Sequence, residues 1–174
     1  MSYSRQKTAA SAAILYDMER RAIDSISAVV LDARIPYIPG LLAFRELPSL
    51  VAALNLLPLR PELVIVDGHG YAHPRRAGIA THLGVALDIP TVGVAKSKLV
   101  GREVGIGGRT YIVDDNEILG AVLARGGRKL YVSVGHRFTL ERALEVVGEI
   151  IEPEHTDIIA EADRLSRRIA RHGL

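Results

Sequence analysis

Hydrophobic positions along this chain follow several rhythms in turn, and each change of rhythm marks a new element. From Thr8 to Met18 and from Ala22 to Ala33 the residues are mostly small or aliphatic, densest at Ile14-Leu15-Tyr16 and Val29-Val30-Leu31. That pattern predicts two strands, joined by a polar turn at Glu19-Arg20-Arg21. Two prolines and a glycine between Ile35 and Gly40 exclude regular structure there. Pro48 suits the first turn of a helix that runs to about Leu57.

A βαβ rhythm comes next. Leu63-Val64-Ile65-Val66 is a continuous apolar run, as expected of a strand buried on both faces. Arg76 to Leu87 reads as a helix, and Pro90 to Ala95 as the following parallel strand. A right-handed crossover brings the carboxyl ends of both strands to one edge of the sheet. Asp67 and Lys96 stand at those ends, where active groups of open α/β sheets tend to gather. Thr110 to Val134 reads as antiparallel β structure, with turns at Asp114-Asp115-Asn116 and Gly126-Gly127. Two helices, Leu140 to Ile151 and Thr156 to Arg171, close the chain, the last with Ile158, Ala162, Leu165 and Ile169 on one stripe. The class is α/β. With 174 residues and neither repeat nor linker, one domain over residues 1–174 is expected.

Composition removes several alternatives. There are no cysteines, which excludes disulfides and Cys-ligated zinc and points to a reducing, cytoplasmic setting. Hydrophobic content is 48%, and no apolar run approaches the roughly 18 residues of a membrane span. The first residues lack the apolar stretch of a secretory signal. A net charge of +2 permits a nucleic-acid partner without arguing for one.

Candidate chemistry concentrates between Pro36 and Lys96. Asp67 follows a buried strand and precedes Gly68-His69-Gly70, a placement that suits a hard cation such as Mg²⁺. Taken alone it reads more readily as a turn-capping aspartate, and Glu46 alone as an acid near a helix N-terminus. His69 and His73 have the spacing of a helical zinc pair, but Gly68 and Gly70 make the segment a loop. His73 reads better as a hydrogen-bonding or proton-transfer group, and His82 as structural. Lys96 is either a strand-end surface lysine or a group that neutralises charge on a phosphate. Tyr37, held between Pro36 and Ile38-Pro39, is a stiffly presented aromatic, able to fill the gap left by a flipped base or to pack on the core. Gly40, Gly68 and Gly78 permit close backbone approach.

Three signatures carry this chemistry in order: Pro36-Tyr37-Ile38-Pro39-Gly40 through Phe44-Arg45-Glu46, Asp67-Gly68-His69-Gly70-Tyr71-Ala72-His73-Pro74-Arg75, and Gly93-Val94-Ala95-Lys96. Together they resemble endonuclease V, a nuclease family that recognises deaminated purines, chiefly hypoxanthine. The resemblance covers nearly the whole chain. It implies an RNase H-like mixed β-sheet flanked by helices, and cleavage of the second phosphodiester bond 3′ to the lesion. The implied cofactor is Mg²⁺, with Mn²⁺ able to substitute. The implied partner of a monomer is DNA containing deoxyinosine, with inosine-containing RNA as a second candidate and no membrane. Carried over position by position, Glu46 and Asp67 are the metal-binding acids, and His73 and Lys96 join them as active-site groups. Tyr37 is the wedge, flanked by Pro36, Ile38 and Pro39, while Gly40, Leu42, Gly68 and Ile79 line the base pocket. Val134-Gly135-His136 and Pro153-Glu154 match more loosely and take no assigned role.

One departure from the family pattern falls at the start of the chain. The family's first strand ends in a metal-binding aspartate, within Val-Asp-x-Ser followed by an aromatic residue. Ser2-Tyr3-Ser4-Arg5 matches the residues just after that aspartate, and Asp17, Asp24 and Asp32 do not occupy its position. The expectation is a reading frame that begins upstream and restores the acid. Two rival readings keep their place: a module that binds inosine-containing nucleic acid without cutting it, and an unrelated α/β metal hydrolase of small phosphorylated substrates.

Overall fold

The computed structural model describes residues 2–3, 8–32, 42–125, 127–151 and 157–173. In chain order the elements are β1 (Ser2–Tyr3), β2 (Thr8–Asp17), β3 (Ala22–Asp32), α1 (Leu42–Asn55), β4 (Val64–Asp67), α2 (Ile79–Leu87) and β5 (Thr91–Ala95). They continue with β6 (Arg102–Ile106), β7 (Arg109–Asp114), β8 (Glu117–Arg125), β9 (Arg128–His136), α3 (Leu140–Ile150) and α4 (Ile158–His172). These form two compact units, Met1–Pro61 with Ile158–Leu174, and Glu62–Asp157.

In the first unit β1, β2 and β3 make an antiparallel sheet, with Ser11 opposite Val29 and Ala10 opposite Val30. Ala9, Ala10 and Ser11 are all buried. Because successive side chains point to opposite faces of a strand, β2 must be covered on both sides at this point. The Ser11 hydroxyl donates to Ser49 Oγ at 2.8 Å, and Ser27 donates to the Ala53 carbonyl at 2.6 Å, which sets α1 on that face. The small side chains let the helix lie close, and each buried hydroxyl finds a partner on α1. α4 also packs on β2 and β3.

Pro48 is not in the first turn of its helix. α1 begins at Leu42 and carries Pro48 in its interior. A proline there gives up one i→i−4 hydrogen bond. Its side is exposed, while Ser49 and Ala53 behind it are buried, so packing of that face outweighs the local cost.

The second unit holds a six-stranded mixed sheet in the order β4-β5-β9-β8-β7-β6. β4 and β5 are parallel and joined through α2, as the sequence predicts, and the remaining pairs are antiparallel. Every residue of β5 is buried, as are Tyr131 to Ser133 on β9, so the middle of this sheet is covered on both faces. α2 packs on β4, β5 and β9, and α3 on β8 and β9. Asp115 and Asn116 both take positive φ, 47° and 64°, which makes the β7–β8 connection a two-residue hairpin of the tightest kind. β6 goes beyond the sequence reading: Arg102-Glu103-Val104-Gly105-Ile106 is largely exposed and lacks an apolar run, and pairing with β7 creates it. α2 begins at Ile79 rather than Arg76, because Arg76 adopts φ 54° and closes the preceding loop. No helix among the described residues is long and apolar enough to cross a membrane.

Ile112 is 1% exposed and packs with Ala72, Ala95, Leu119 and Tyr131. Truncation to alanine should therefore cost about 2–5 kcal/mol in urea unfolding. The same change at Ile118, which is 47% exposed, should stay within about 0.5 kcal/mol. Equal losses at both positions would contradict this placement of the core.

Candidate functional site

Parallel register sets the site. Asp67 is paired with Val94, so the residues that leave β4 and β5 emerge side by side at one sheet edge. Lys96 Nζ lies 2.8 Å from Asp67 Oδ2, with the lysine side chain 47% and the aspartate 23% exposed. A half-exposed pair of this kind contributes only about 0–1 kcal/mol to stability. It is therefore open to exchange partners with an incoming phosphate or cation.

The loop after β4 lies flat on the sheet because glycines remove what would lift it. A Cβ at Gly93 would sit 2.6 Å from the Gly68 carbonyl oxygen and 2.7 Å from the His69 carbonyl carbon. A Cβ at Gly78 would strike the His69 carbonyl, and one at Gly70 the Val134 carbonyl. Hydrogen bonds then hold the loop in place: Gly70 N–H to Ser133 Oγ at 3.0 Å, Tyr71 N–H to the Val134 carbonyl at 2.6 Å, and Ala80 N–H to the His69 carbonyl at 3.1 Å. A Cβ at Gly68 would come within 2.6 Å of Ile79 Cγ2. Two of the four residues nominated for a base pocket are thus in contact.

Two histidines follow along the loop. Burial pushes the His69 ring below its ordinary pKa, helped by His73 and opposed by a hydrogen bond with the Ser97 backbone. Its Nδ1 is buried without a hydrogen-bond partner. His73 is likewise lowered by burial, then by the charges of His82 and Arg75. Its Nδ1 accepts the Arg75 N–H at 3.2 Å. Both rings are thereby biased to the neutral form, in which a ring nitrogen can accept a proton. His82 Nδ1 lies 2.8 Å from the Gly78 carbonyl on the first turn of α2, in keeping with a structural role.

Leu42 and Glu46 lie on α1 in the first compact unit; Glu46 is partly buried, and its carbonyl accepts from Ser49 Oγ at 3.0 Å. Pro36, Tyr37, Ile38, Pro39 and Gly40 lie outside the described residues, as do Pro153 and Glu154. Among the described residues, no group of three or more His, Asp or Glu side chains gathers as a metal cage. Asp67 supplies the hard oxygen that suits Mg²⁺, an ion that commonly keeps several waters and takes one or two protein carboxylates.

The model of the endonuclease V family matches residues 1–161. The chain belongs to that family. An endonuclease V of Aeropyrum pernix is 47% identical over 155 residues, a match that spans 87% of this chain and 60% of that protein. The solved endonuclease V of Streptomyces avermitilis superposes with a TM-score of 0.89 at 34% identity, over 98% of this chain and 78% of the other. That of Ciona intestinalis, solved with a 24mer DNA containing an inosine followed by a ribo-adenosine, gives 0.82 at 27% identity, over 98% and 83%. The fold is accordingly the RNase H-like mixed sheet flanked by helices, as the resemblance implied.

Several features of this endonuclease V-family protein escape the sequence reading. Gly93 interrupts the apolar run of a buried strand, and that interruption is the readable sign of close backbone approach. Asp163 stands outside the expected apolar stripe of α4, yet it is 8% exposed. Arg167 Nη2 and Nε donate to its two carboxylate oxygens, at 2.8 and 3.1 Å. Tyr71, Arg76, Asp114 and Glu117 are linked by contacts far apart in sequence, which no local pattern announces.

Gly93→Ala should destabilise the protein by about 1–3 kcal/mol and shift the amide resonances of Gly68 to Gly70. Unmoved resonances would mean that the loop does not rest on β5. Protonation provides a second test. The folded pKa of His73 is lowered, so the unfolded chain binds more protons at mildly acidic pH. Stability should fall as pH drops below about 6.5 and level off below the folded value. His73→Gln should flatten that part of the urea midpoint-versus-pH curve; an unchanged curve would place the effect on another group.

Proposed function

We propose that this protein is a Mg²⁺-dependent endonuclease that recognises deoxyinosine in DNA and cuts the second phosphodiester bond 3′ to it. The observation that carries the reading is the juxtaposition of Asp67 and Lys96 at the carboxyl edge of β4 and β5, beside a glycine-lined loop where Gly68 meets Ile79. The inosine-containing DNA bound by the Ciona relative supports the choice of lesion. Matching of the three sequence signatures supports the cleavage position.

In this reading Asp67 would hold the metal through a carboxylate oxygen, with Glu46 as the second acid. When bound, Mg²⁺ supplies Lewis-acid stabilisation of phosphate oxygens and lowers the pKa of coordinated water. Lys96 leaves Asp67 and neutralises charge that builds on the phosphate, where a preplaced cation is most effective. His73, biased neutral, accepts a hydrogen bond or proton beside the scissile bond. Gly68 and Ile79, with Gly40 and Leu42, receive the flipped base, and backbone groups can approach its edge because Gly68 has no side chain. Tyr37 fills the space left in the duplex, with Pro36, Ile38 and Pro39 stiffening its loop. DNA is the primary partner and inosine-containing RNA the second.

The purified protein should nick an inosine-containing duplex in the presence of Mg²⁺, read on a denaturing gel. Asp67→Ala should lower the rate by about 100-fold or more, and retained activity would remove Asp67 from the site. Tyr37→Ala should weaken engagement of duplex lesions. A gel shift on inosine DNA without nicking would favour the binding module over the nuclease.

A further inference from the structure

The loop that carries His73 is fastened at both ends to one hairpin tip. Tyr71 Oη donates to Glu117 Oε1 at 2.6 Å, and Arg76 Nε donates to Glu117 Oε2 at 2.9 Å. Arg76 Nη2 reaches Asp114 Oδ2 at 3.0 Å. Asp114 and Glu117 are register partners across the two-residue turn of β7 and β8, so the carboxylates belong to one rigid piece of sheet. Between the ends the chain turns tightly. His73 N–H donates to the Tyr71 carbonyl at 2.7 Å, and Arg76 N–H donates to the His73 carbonyl at 2.8 Å. Arg76 Nη1 lies 3.4 Å from that same carbonyl.

Magnitudes indicate what this cluster is for. The side chains of Arg76, Asp114 and Glu117 are 25%, 31% and 44% exposed, and ion pairs this accessible contribute little stability. Arg76 also holds φ 54°, a conformation that costs an L-residue energy. A guanidinium fork directed at two carboxylates and a carbonyl has a geometric benefit instead: it sets one backbone position in three directions. The backbone group it sets belongs to His73.

We propose that Arg76, gripped by Asp114 and Glu117, is a positioning residue for His73. This rests on the reading of His73 as an active-site group. Arg76 touches no reacting atom; it fixes the turn from which the imidazole projects, and Tyr71 braces the other end through the same Glu117 carboxylate.

The test is a double-mutant cycle on inosine-duplex cleavage, with the His73 ring followed by ¹H–¹³C NMR. Arg76→Ala should lower kcat by about 10-fold with KM changed less than about 2-fold, the mark of misplaced chemistry rather than lost binding. In a His73→Ala background the same change should cost nothing further. Arg76→Lys should recover part of the rate, because an ammonium can reach Glu117 but cannot fork to both carboxylates. His73 ring resonances should move in Arg76→Ala and return partway in Arg76→Lys. Arg142→Ala, which removes an exposed ion pair on α3, should leave cleavage unchanged.

A cost of Arg76→Ala that persists in full in His73→Ala would overturn the proposal, as would a rise in KM alone with a shallower salt dependence. The first would make Arg76 act independently of His73, and the second would make it a direct contact to nucleic acid. Wild-type protein that does not nick inosine DNA would overturn the nuclease reading by itself. The NMR arm then decides the clamp: resonances that move and partly return uphold it, and resonances that stay in place overturn it.

Discussion

Parallel pairing of β4 with β5 is the constraint on which the site depends. Because Asp67 is in register with Val94, the two chains leave the sheet together, and the aspartate and Lys96 meet although 29 residues separate them. An antiparallel pair would have placed the carboxyl ends at opposite edges. The pairing needs a crossover, and α2 supplies it, held by the bond from Thr91 Oγ1 to the Ala80 carbonyl at 2.7 Å. The loop between β4 and α2 is left with nowhere to go except across the sheet.

Packing limits how that loop can run. Gly70, Gly78 and Gly93 each stand where a single methyl group would strike a neighbouring backbone. The segment from Gly68 to Ala72 is therefore fitted to the sheet as a core is fitted. The first compact unit uses the same device with Ala9, Ala10, Ser11, Ser27 and Ser49, where buried hydroxyls find partners on α1. Charged groups act differently. Those at hairpin tips and loop ends, such as Arg20 between Asp17 and Asp24, set direction more than they add stability.

Much of this architecture is legible in the chain. Leu63-Val64-Ile65-Val66 and Pro90 to Ala95 carry apolar runs on which the structure forms β4 and β5. β5 is buried on both faces, while β4, at the sheet edge, buries Val64 and Val66 and leaves Ile65 half-buried. Asp115-Asn116 and Gly127 punctuate the antiparallel strands as expected. Where the reading differs, long-range contacts outweigh local preference. Pro48 sits inside α1 because the packed face behind it decides, β6 exists through its pairing with β7, and α2 starts late because Arg76 is drawn to a hairpin.

The sequence by itself determined the family, the α/β class and the places of Asp67 and Lys96 at the strand ends, because those signals are local: apolar period, turn residues and three short signatures. Tertiary structure decided the meeting of Asp67 with Lys96, the seating of the loop on Gly93 and the grip of Asp114 and Glu117 on Arg76. Each of those joins residues from different elements, and the distance between them is set by strand register and helix packing. No window of neighbouring residues contains that information.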